Sequence, residues 1–241
     1  MHIRYSAIRS SIVALVLFLV LGLVPQAAAA EFPYFILKGD LHVHSDFSHD
    51  SVVPIEQVVS ESSIAGYDFI AVTDHNTTRH MIEDHSTDEV LVIAGYEHTT
   101  PAAHVNIFGL RTIPRKSAIY TKEEMAEYLE PLREQGGIFQ LDHPNDSLYY
   151  SRFGYDLDFH FIEILNGVWR DDDHQTLLDW HKLLLEGRKI VATGGTDAHR
   201  NHTVRGVFNN VYVTDRTEEA ILEALLAGRN FVTVEADGPV Q

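Results

Sequence analysis

The sequence DLHVHSDFSHDS, residues Asp40–Ser51, places a dense group of ionisable side chains where a predicted β-strand ends. Side chains two residues apart on a strand share a face, so His42 and His44 can present their imidazoles to one cation. A single His-x-His pair also occurs by chance on half-buried strands. The pair therefore predicts a metal site only if other strands bring further ligands to the same place.

Several other predicted strands carry His or carboxylate residues where they end or begin. The motifs are Thr73-Asp74-His75, Gly95-Tyr96-Glu97, Leu141-Asp142-His143-Pro144 and Thr196-Asp197-Ala198-His199, and His104 begins a further strand. Each has an ordinary interpretation by itself, as a helix cap, a surface carboxylate or a core histidine. Burying so many unpaired ionisable groups would cost several kcal/mol each, and bound divalent cations explain them together.

The rest of the chain alternates short β-rich runs with helical ones, which predicts an α/β fold. The predicted strands are Phe35–His42, Tyr67–Thr73, Glu89–Ala94, His104–Phe108, Ile138–Leu141, Phe159–Leu165, Lys189–Thr193, Val207–Thr214 and Asn230–Val234. The predicted helices are Pro54–Ala65, Thr121–Gln135, Asp173–Glu186 and Thr217–Ala227, with Pro131 expected to kink or end the second one. This alternation favours a parallel sheet, closed or open, with active groups at the carboxyl ends of its strands.

The amino-acid composition limits the kinds of metal site, nucleophile and partner that the protein can have. The chain of 241 residues has 15 His and no Cys, so any metal must bind to imidazoles and carboxylates, and no cysteine nucleophile is available. With a formal net charge of -17, the chain lacks the excess of positive charge that nucleic-acid binding needs. We therefore expect a small-molecule substrate and no nucleic-acid partner.

The amino-terminal segment is typical of a secretory signal peptide. Arg4 and Arg9 precede an apolar run from Ile12 to Val24, and Ala28–Ala30 form a small-residue cleavage site before Glu31. The apolar run is shorter than the ~20 residues of a membrane span. We expect residues 1–30 to be a signal peptide, residues 31–241 to form one domain, and the protein to be secreted or periplasmic without stable membrane insertion.

The motifs HxH, TDH, GYE, HxNxFG, DHP and TDAH occur in this order over about residues 38–200. In type, order and position at strand ends they resemble the polymerase and histidinol phosphatase (PHP) superfamily of metal-dependent phosphoesterases. The resemblance implies a distorted (β/α)7 barrel. It also implies two or three divalent ions, usually manganese, iron or zinc, at the carboxyl ends of the strands.

The resemblance also implies a set of metal ligands, which falls into three groups. His42, His44, Glu97 and Asp197 would bind one ion; His75 and His199 would bind a second with a residue that follows the first motif; His104, His143 and Glu97 would bind a third. Both His49 and Asp50 are candidates for the residue after the first motif, and Asp50 is favoured. Glu97, Asp197 and His199 are the expected catalytic residues.

The implied reaction is hydrolysis of a phosphate ester by a hydroxide that bridges the metal ions. Four arginines near the strand-end motifs, Arg79, Arg170, Arg200 and Arg205, are candidates for binding the substrate phosphate. Glu163 and Asn166, at the end of another predicted strand, are candidates for orienting the ligands. Two alternatives remain at this stage: a carboxylic ester or carbamate hydrolase with the same metal cluster, and a non-catalytic module stabilised by its metals.

Overall fold

The computed structural model describes residues 33–200 and 206–234. Apart from Pro33, these residues belong to one compact unit, Tyr34–Gln241. The predicted signal segment, residues 1–30, and the predicted phosphate-binding residue Arg205 lie outside the described residues. Within the described ranges, no helix has the length and apolarity needed to cross a membrane.

The fold is mixed α/β. Its strands are β1 (Phe35–Val43), β2 (Phe69–Val72), β3 (Leu91–Thr99), β4 (His104–Phe108), β5 (Ile138–Leu141), β6 (Phe161–Asn166), β7 (Val191–Gly195), β8 (Val207–Val213) and β9 (Asn230–Val234). Its helices are α1 (Ile55–Ala65), α2 (Lys122–Glu134), α3 (Asp171–Leu185) and α4 (Glu218–Leu226), with a 3₁₀ turn at Arg79–Ile82. Each strand and helix expected from the sequence is present; β4, β5 and β9 have the predicted bounds, and the other elements have shifted ends.

The strands form one sheet in the order β7-β6-β5-β4-β3-β2-β1-β8-β9. The expectation of a parallel sheet is met only in part. The pairs β1–β2, β2–β3, β5–β6 and β6–β7 are parallel, but β4 runs antiparallel to both β3 and β5, and β8 runs antiparallel to β1 and β9. Only residues 100–103 separate β3 from β4, and a parallel crossover needs about a dozen residues or more. The hairpin extends β3 beyond its predicted end at Ala94 and places Thr99 opposite His104, at the end of the sheet where β1 and β2 terminate.

The sheet curls until β7 meets β1, which produces a nearly closed barrel. Beyond the end of β7, the backbone N–H of Asp197 donates to the carbonyl of His42 at 2.8 Å, and that of His44 donates to the carbonyl of Ala198 at 3.0 Å. At the lower part of this seam the side chain of Asn209, from β8, lies between the two strands. It accepts from the N–H of Gly194 at 3.0 Å and donates to the carbonyls of Gly194 and Gly39 at 2.7 and 3.2 Å.

Helix α2 shows how packing overrides one local signal. Its start follows the predicted capping box, in which Thr121 accepts from the N–H of Glu124 and the Glu124 carboxylate accepts from the N–H of Thr121. The expected early end at Pro131 is wrong, because the helix continues to Glu134. Pro131 faces solvent, where water can hydrate the carbonyl that loses its partner, while Leu129 and neighbouring apolar residues anchor the helix on the sheet.

Asn209 offers a test of barrel closure. Replacing this fully buried residue with alanine removes three buried hydrogen bonds to the backbone across the seam. We expect Asn209→Ala to lower the free energy of unfolding by about 3 kcal/mol, measured by urea denaturation. The control Thr121→Ala removes an exposed helix cap and should cost about 1 kcal/mol. Equal losses in the two variants would show that the seam does not depend on Asn209.

Candidate metal centre

The barrel brings the predicted ligands to one mouth. His42 and His44 lie at the end of β1, His75 follows β2, Glu97 lies in β3, His104 begins β4, His143 follows β5, and Asp197 and His199 follow β7. Around Glu97, His42 and His44 come from the strand beside the barrel seam and His104 from the hairpin strand. The antiparallel course of β4 is what allows its first residue, rather than its last, to face this mouth.

Glu97 is fully buried and lies between two groups of histidines. Its Oε2 is 2.7 Å from His75 Nδ1 and 3.4 Å from the Nε2 atoms of both His42 and His44. Its Oε1 is 2.6 Å from His104 Nδ1. Burial alone would raise the pKa of this carboxyl, but His104, His75 and His42 together hold it well below its usual range. Glu97 is therefore a carboxylate with each oxygen facing a different part of the cluster, as a bridging ligand requires.

His104 is joined on its side of Glu97 by His143. The Nε2 atom of His143 lies 3.8 Å from Glu97 Oε1, and the two imidazole rings are 5.0 Å apart at a steep angle. Glu97, His104 and His143 can each offer one atom to a common ion. This group corresponds to the third predicted ion.

The other side of the cluster contains two overlapping groups. Asp197 Oδ1 lies 3.0 Å from His44 Nε2 and 3.4 Å from His42 Nε2, which makes one group. His44 also falls within a second group with His75 and His199. The resemblance implies that His44 binds one ion only, whereas the geometry places its ring within two groups.

The structure distinguishes between His49 and Asp50, the two candidate ligands that follow the first motif. Asp50 Oδ2 is 3.2 Å from the Nε2 atoms of both His75 and His199. The side chain of His49 is 72% exposed, and its ring lies at the outer side of His75. Asp50 is thus the residue positioned to complete the second group.

Several buried polar atoms in the cluster lack hydrogen-bond partners among the described residues. They include both oxygens of Glu97, Nε2 of His42 and Nδ1 of His143. Imidazole nitrogens approach the oxygens of Glu97 without hydrogen-bond geometry, at 2.6 Å for His104 and 2.7 Å for His75. Buried groups left in this way are costly unless something else satisfies them. The nitrogen and oxygen donor set, with no sulfur, fits manganese, iron or zinc.

Protonation within this cluster follows the local charges. Burial opposes a charge on His42, yet the carboxylates of Asp197 and Glu163 hold its pKa well above the ordinary value. Burial lowers the pKa of His44, which favours the neutral imidazole that binds a cation. Ligation by His42 requires its Nε2 proton to leave, so metal binding to this group is coupled to proton release.

Glu163 supports the ligands from within the barrel. Its Oε1 accepts from Nδ1 of His42 at 3.0 Å, which directs Nε2 of that ring toward the cluster. Its Oε2 accepts from the backbone N–H of His143 at 2.9 Å and from the amide of Asn166 at 3.1 Å. Asn166 also donates to Asp197 Oδ2 at 3.3 Å. Two buried side chains on β6 therefore orient candidate ligands from three other parts of the barrel.

Close backbone packing beside β1 leaves no room for a larger residue at Gly195. A β-carbon there would lie 2.2 Å from Cβ of His42 and 2.5 Å from Oε1 of Glu163. Nearby, His143 and Asp197 adopt positive φ angles of 27° and 51°. Such conformations cost of order 1–3 kcal/mol and persist where the surrounding structure enforces them. The ligand positions are thus fixed by backbone constraints as well as by side-chain contacts.

The cluster opens into a cavity of about 390 Å³. Its lining includes Arg200, one of the four arginines predicted to bind phosphate. Arg79 instead lies over the ring of Phe47, 5.4 Å from its centroid, and Arg170 contacts Asn166 and Asp172. Neither of these two arginines lines the cavity, so their predicted substrate-binding role has no geometric support.

Sequence reasoning did not single out three other residues at this end of the barrel. Asp40 accepts from the backbone N–H groups of His42 and Thr196, each at 3.0 Å, and burial raises its pKa to about 7. Asp142 is buried beside His42 and Glu163, and burial raises its pKa well above the usual range. Tyr149 lines the cavity from an irregular loop. Asp40 and Asp142 stand within the quoted motifs, whereas no pattern distinguishes Tyr149 from other loop tyrosines.

Comparison with known proteins agrees with this architecture. The uncharacterized protein MJ1587 of Methanocaldococcus jannaschii is 28% identical over 151 residues, which cover 56% of this chain and 85% of that protein. A two-domain protein from Bacteroides vulgatus, containing a predicted PHP-like metal-dependent phosphoesterase, superposes with a TM-score of 0.62 at 22% identity, over 84% of this chain and 66% of that one. The lesion-specific endonuclease Q of Pyrococcus furiosus gives a TM-score of 0.58 at 18% identity, over 83% and 58%.

The chain spans less than two thirds of the length of each of these two structures, and at such identities the likeness establishes a common fold. That fold is the distorted (β/α)7 barrel expected from the motifs. Residues 40–179, more than half of the chain, match the PHP domain. The chain belongs to the PHP family, whose members are metal-dependent phosphoesterases and related hydrolases.

Proposed function

We propose that this protein is an exported metal-dependent phosphoesterase that hydrolyses a small phosphorylated substrate. The observation that carries the proposal is Glu97, a buried carboxylate with histidines of several strands around both of its oxygens. A carboxylate in this position is suited to hold neighbouring divalent ions together. Neighbouring ions suit an in-line displacement at phosphorus, where attacking and leaving oxygens both need stabilisation.

Three groups of side chains would hold the ions. They are His42, His44 and Asp197; His75 and His199 with Asp50; and Glu97, His104 and His143. When bound, the divalent cations would supply Lewis-acid stabilisation of the phosphoryl oxygens and would lower the pKa of water toward neutrality. We propose two or three ions per chain, of manganese, zinc or iron.

The chain itself would bind and orient the substrate. Arg200, on the cavity wall, would donate to a phosphoryl oxygen, and the exposed imidazole of His49 would contact the substrate at the rim. Glu163 and Asn166 would keep His42 and Asp197 in the orientation that catalysis needs. Asp197, Glu97 and His199 are the proposed catalytic residues.

The size of the substrate is argued from charge and volume. The chain carries a formal charge of -17, and the cavity of about 390 Å³ suits a metabolite-sized ligand. Endonuclease Q shares the fold, so the fold itself does not exclude a nucleic-acid substrate. The net charge is what favours a small substrate, because the protein surface does not attract a polyanion.

The first test concerns the bond that is cleaved. We expect the metal-loaded protein to hydrolyse phosphate esters in preference to phenyl acetate and naphthyl carbamates, and a chelator to abolish the activity. Asp197→Asn should retain the fold and lose at least about a hundredfold in kcat, the scale of removing one electrostatic stabiliser. The exposed control Asp88→Asn should retain the wild-type rate. Efficient cleavage of carbamates or esters, with every phosphate ester untouched, would reverse the assignment.

The second test counts the metal ions by elemental analysis after gel filtration. We expect two or three equivalents per chain, because the ligand set exceeds the usual four to six ligands of one cation. Glu97→Gln should reduce occupancy at more than one position, since an amide cannot bridge as a carboxylate does, whereas His143→Asn should remove about one equivalent. His181→Asn, an exposed histidine of α3, serves as the control. A single equivalent in the wild type would remove the His104 and His143 position from the proposal.

The third test concerns export. Residues 1–30 have the features of a cleavable signal, so we expect the exported protein to begin at or within a residue or two of Glu31. Intact-mass measurement of the protein from the extracytoplasmic fraction gives the mature terminus. Retention of Met1 in a membrane-bound form would contradict cleavage.

A further inference from the structure

One wall of the cavity differs chemically from the rest. Apart from Tyr149, the lining residues carry an imidazole, a carboxylate, a guanidinium or a small hydroxyl: His49, Asp50, His75, Thr99, His104, His143, Asp197, His199 and Arg200. Tyr149 contributes a neutral aromatic ring. Its centroid lies 5.3 Å from the ring of His104 and 6.4 Å from that of His143, directly beside the Glu97, His104 and His143 group. An aromatic face therefore borders the predicted metal centre on this side.

The position of Tyr149 is held by its loop. The carboxylate of Asp146 accepts from the backbone N–H of Leu148 at 2.8 Å and from that of Tyr149 at 2.9 Å. The N–H of Asp146 in turn donates to the carbonyl of His143 at 2.9 Å, which ties this turn to the end of β5. Tyr149 nevertheless remains 57% exposed. The loop thus fixes the backbone beneath a ring that has one side against His104 and much of its surface free.

Resting on the proposed phosphoesterase function, we propose that Tyr149 selects substrates whose leaving group carries a planar aromatic ring, by stacking against that ring. Aromatic rings stack favourably in offset and tilted arrangements, and this contact is available to any planar π-system. Two kinds of phosphate ester carry a planar ring that can stack in this way. In aryl phosphates the ring is attached directly to the ester oxygen, and in nucleotides a ribose lies between the base and the phosphate.

The polar residues of the cavity favour one direction of binding. The exposed His49 lies beside Asp50 and His75, and Arg200 directly follows His199, whose Nε2 is 3.2 Å from Asp50 Oδ2, whereas Tyr149 lies beside His104 and His143. An anionic phosphoryl group is matched to the arginine and the metal ligands, and an uncharged ring is not. The leaving group then extends over Tyr149, whereas the reverse orientation would place an apolar ring among charged groups.

The test compares substrates with and without a ring in matched variants. Phenyl phosphate and adenosine 5′-monophosphate carry rings, and ribose 5-phosphate and glycerol phosphate do not. Tyr149→Ala should lower kcat/KM for the preferred ring-bearing substrate by roughly tenfold, mainly through KM, and leave both ring-free substrates unchanged. Tyr149→Phe should behave as wild type. Tyr150→Ala removes a neighbouring tyrosine of similar exposure that does not line the cavity, and should have no effect.

The two ring-bearing substrates distinguish the source of the ring. A Tyr149-dependent preference for phenyl phosphate indicates an aryl ester, and one for adenosine 5′-monophosphate indicates a nucleotide. An equal loss by Tyr149→Ala for substrates with and without a ring would mean that Tyr149 only supports the loop, and would overturn the proposal. No loss for any substrate would overturn it as well.

A binding measurement keeps this inference separate from the proposed reaction. Phenylphosphonate and methylphosphonate cannot be hydrolysed as esters, and their affinities for metal-loaded protein can be measured by calorimetry. We expect phenylphosphonate to bind roughly tenfold more tightly to wild type and to Tyr149→Phe, with the difference lost in Tyr149→Ala. If no phosphate ester is cleaved but this difference remains, the reaction is wrong and the aromatic subsite stands. Equal affinities of the two phosphonates for wild type would overturn the subsite whether or not the enzyme is active.

Discussion

The structure depends above all on keeping a carboxylate at the centre of the barrel mouth. Glu97 has no exposed surface, and neither of its oxygens has a hydrogen-bond partner among the described residues. A buried carboxylate without compensation would take up a proton, but the imidazoles around Glu97 hold its pKa well below the usual range. The arrangement is stable only when positive charge remains close, from protonated histidines or from metal ions. This single constraint links β3, which carries Glu97, to β1, β4 and the segment after β2, since each of these three supplies a histidine within 3.4 Å of Glu97.

Support for this centre comes from residues that do not face the cavity. Glu163 accepts hydrogen bonds from His42, from the backbone of His143 and from Asn166, so one carboxylate secures two sides of the cluster. Beneath it, Asp40 joins the end of β1 to Thr196 beside β7. The seam of the barrel and the orientation of the ligands therefore share the same buried polar groups. In such a network each group is satisfied only if the others are in place, so the site and the fold are expected to lose order together.

The strand ends were predictable because ligand chemistry is local in sequence. His42 and His44 share a face by simple alternation, and the motifs that contain His75, His143 and Asp197 each follow a short apolar run. Alternation does not give the direction of β4. With β3 ending at Ala94, as the sequence predicts, residues 95–103 would connect the two strands, whereas the folded β3 continues to Thr99 and leaves only residues 100–103, which enforces a hairpin. The end of α2 was predicted wrongly for a related reason. The cost of Pro131 in a helix is a local effect, whereas the packing of α2 on the sheet, which outweighs that cost, involves residues distant in sequence.

For residues in irregular segments, the sequence does not show which side chains face the site. His49 and Asp50 are adjacent in a turn, and only the folded chain shows that Asp50 meets His75 and His199 while His49 faces solvent. Arg79 and Arg200 likewise follow similar motifs, yet one packs on an aromatic ring and the other lines the cavity. Loops have no period from which the direction of a side chain follows.

Strand ends and loops contribute different parts of the candidate site. The candidate ligands lie at strand ends, where backbone pairing, buried support and a tight approach at Gly195 leave little freedom. The residues that would distinguish one substrate from another, Arg200 and Tyr149, lie on irregular segments outside that frame. Changes in such loops alter the cavity wall at small cost to the buried network, because they do not break its hydrogen bonds. A fold shared with an endonuclease can therefore present a small cavity with an aromatic wall here.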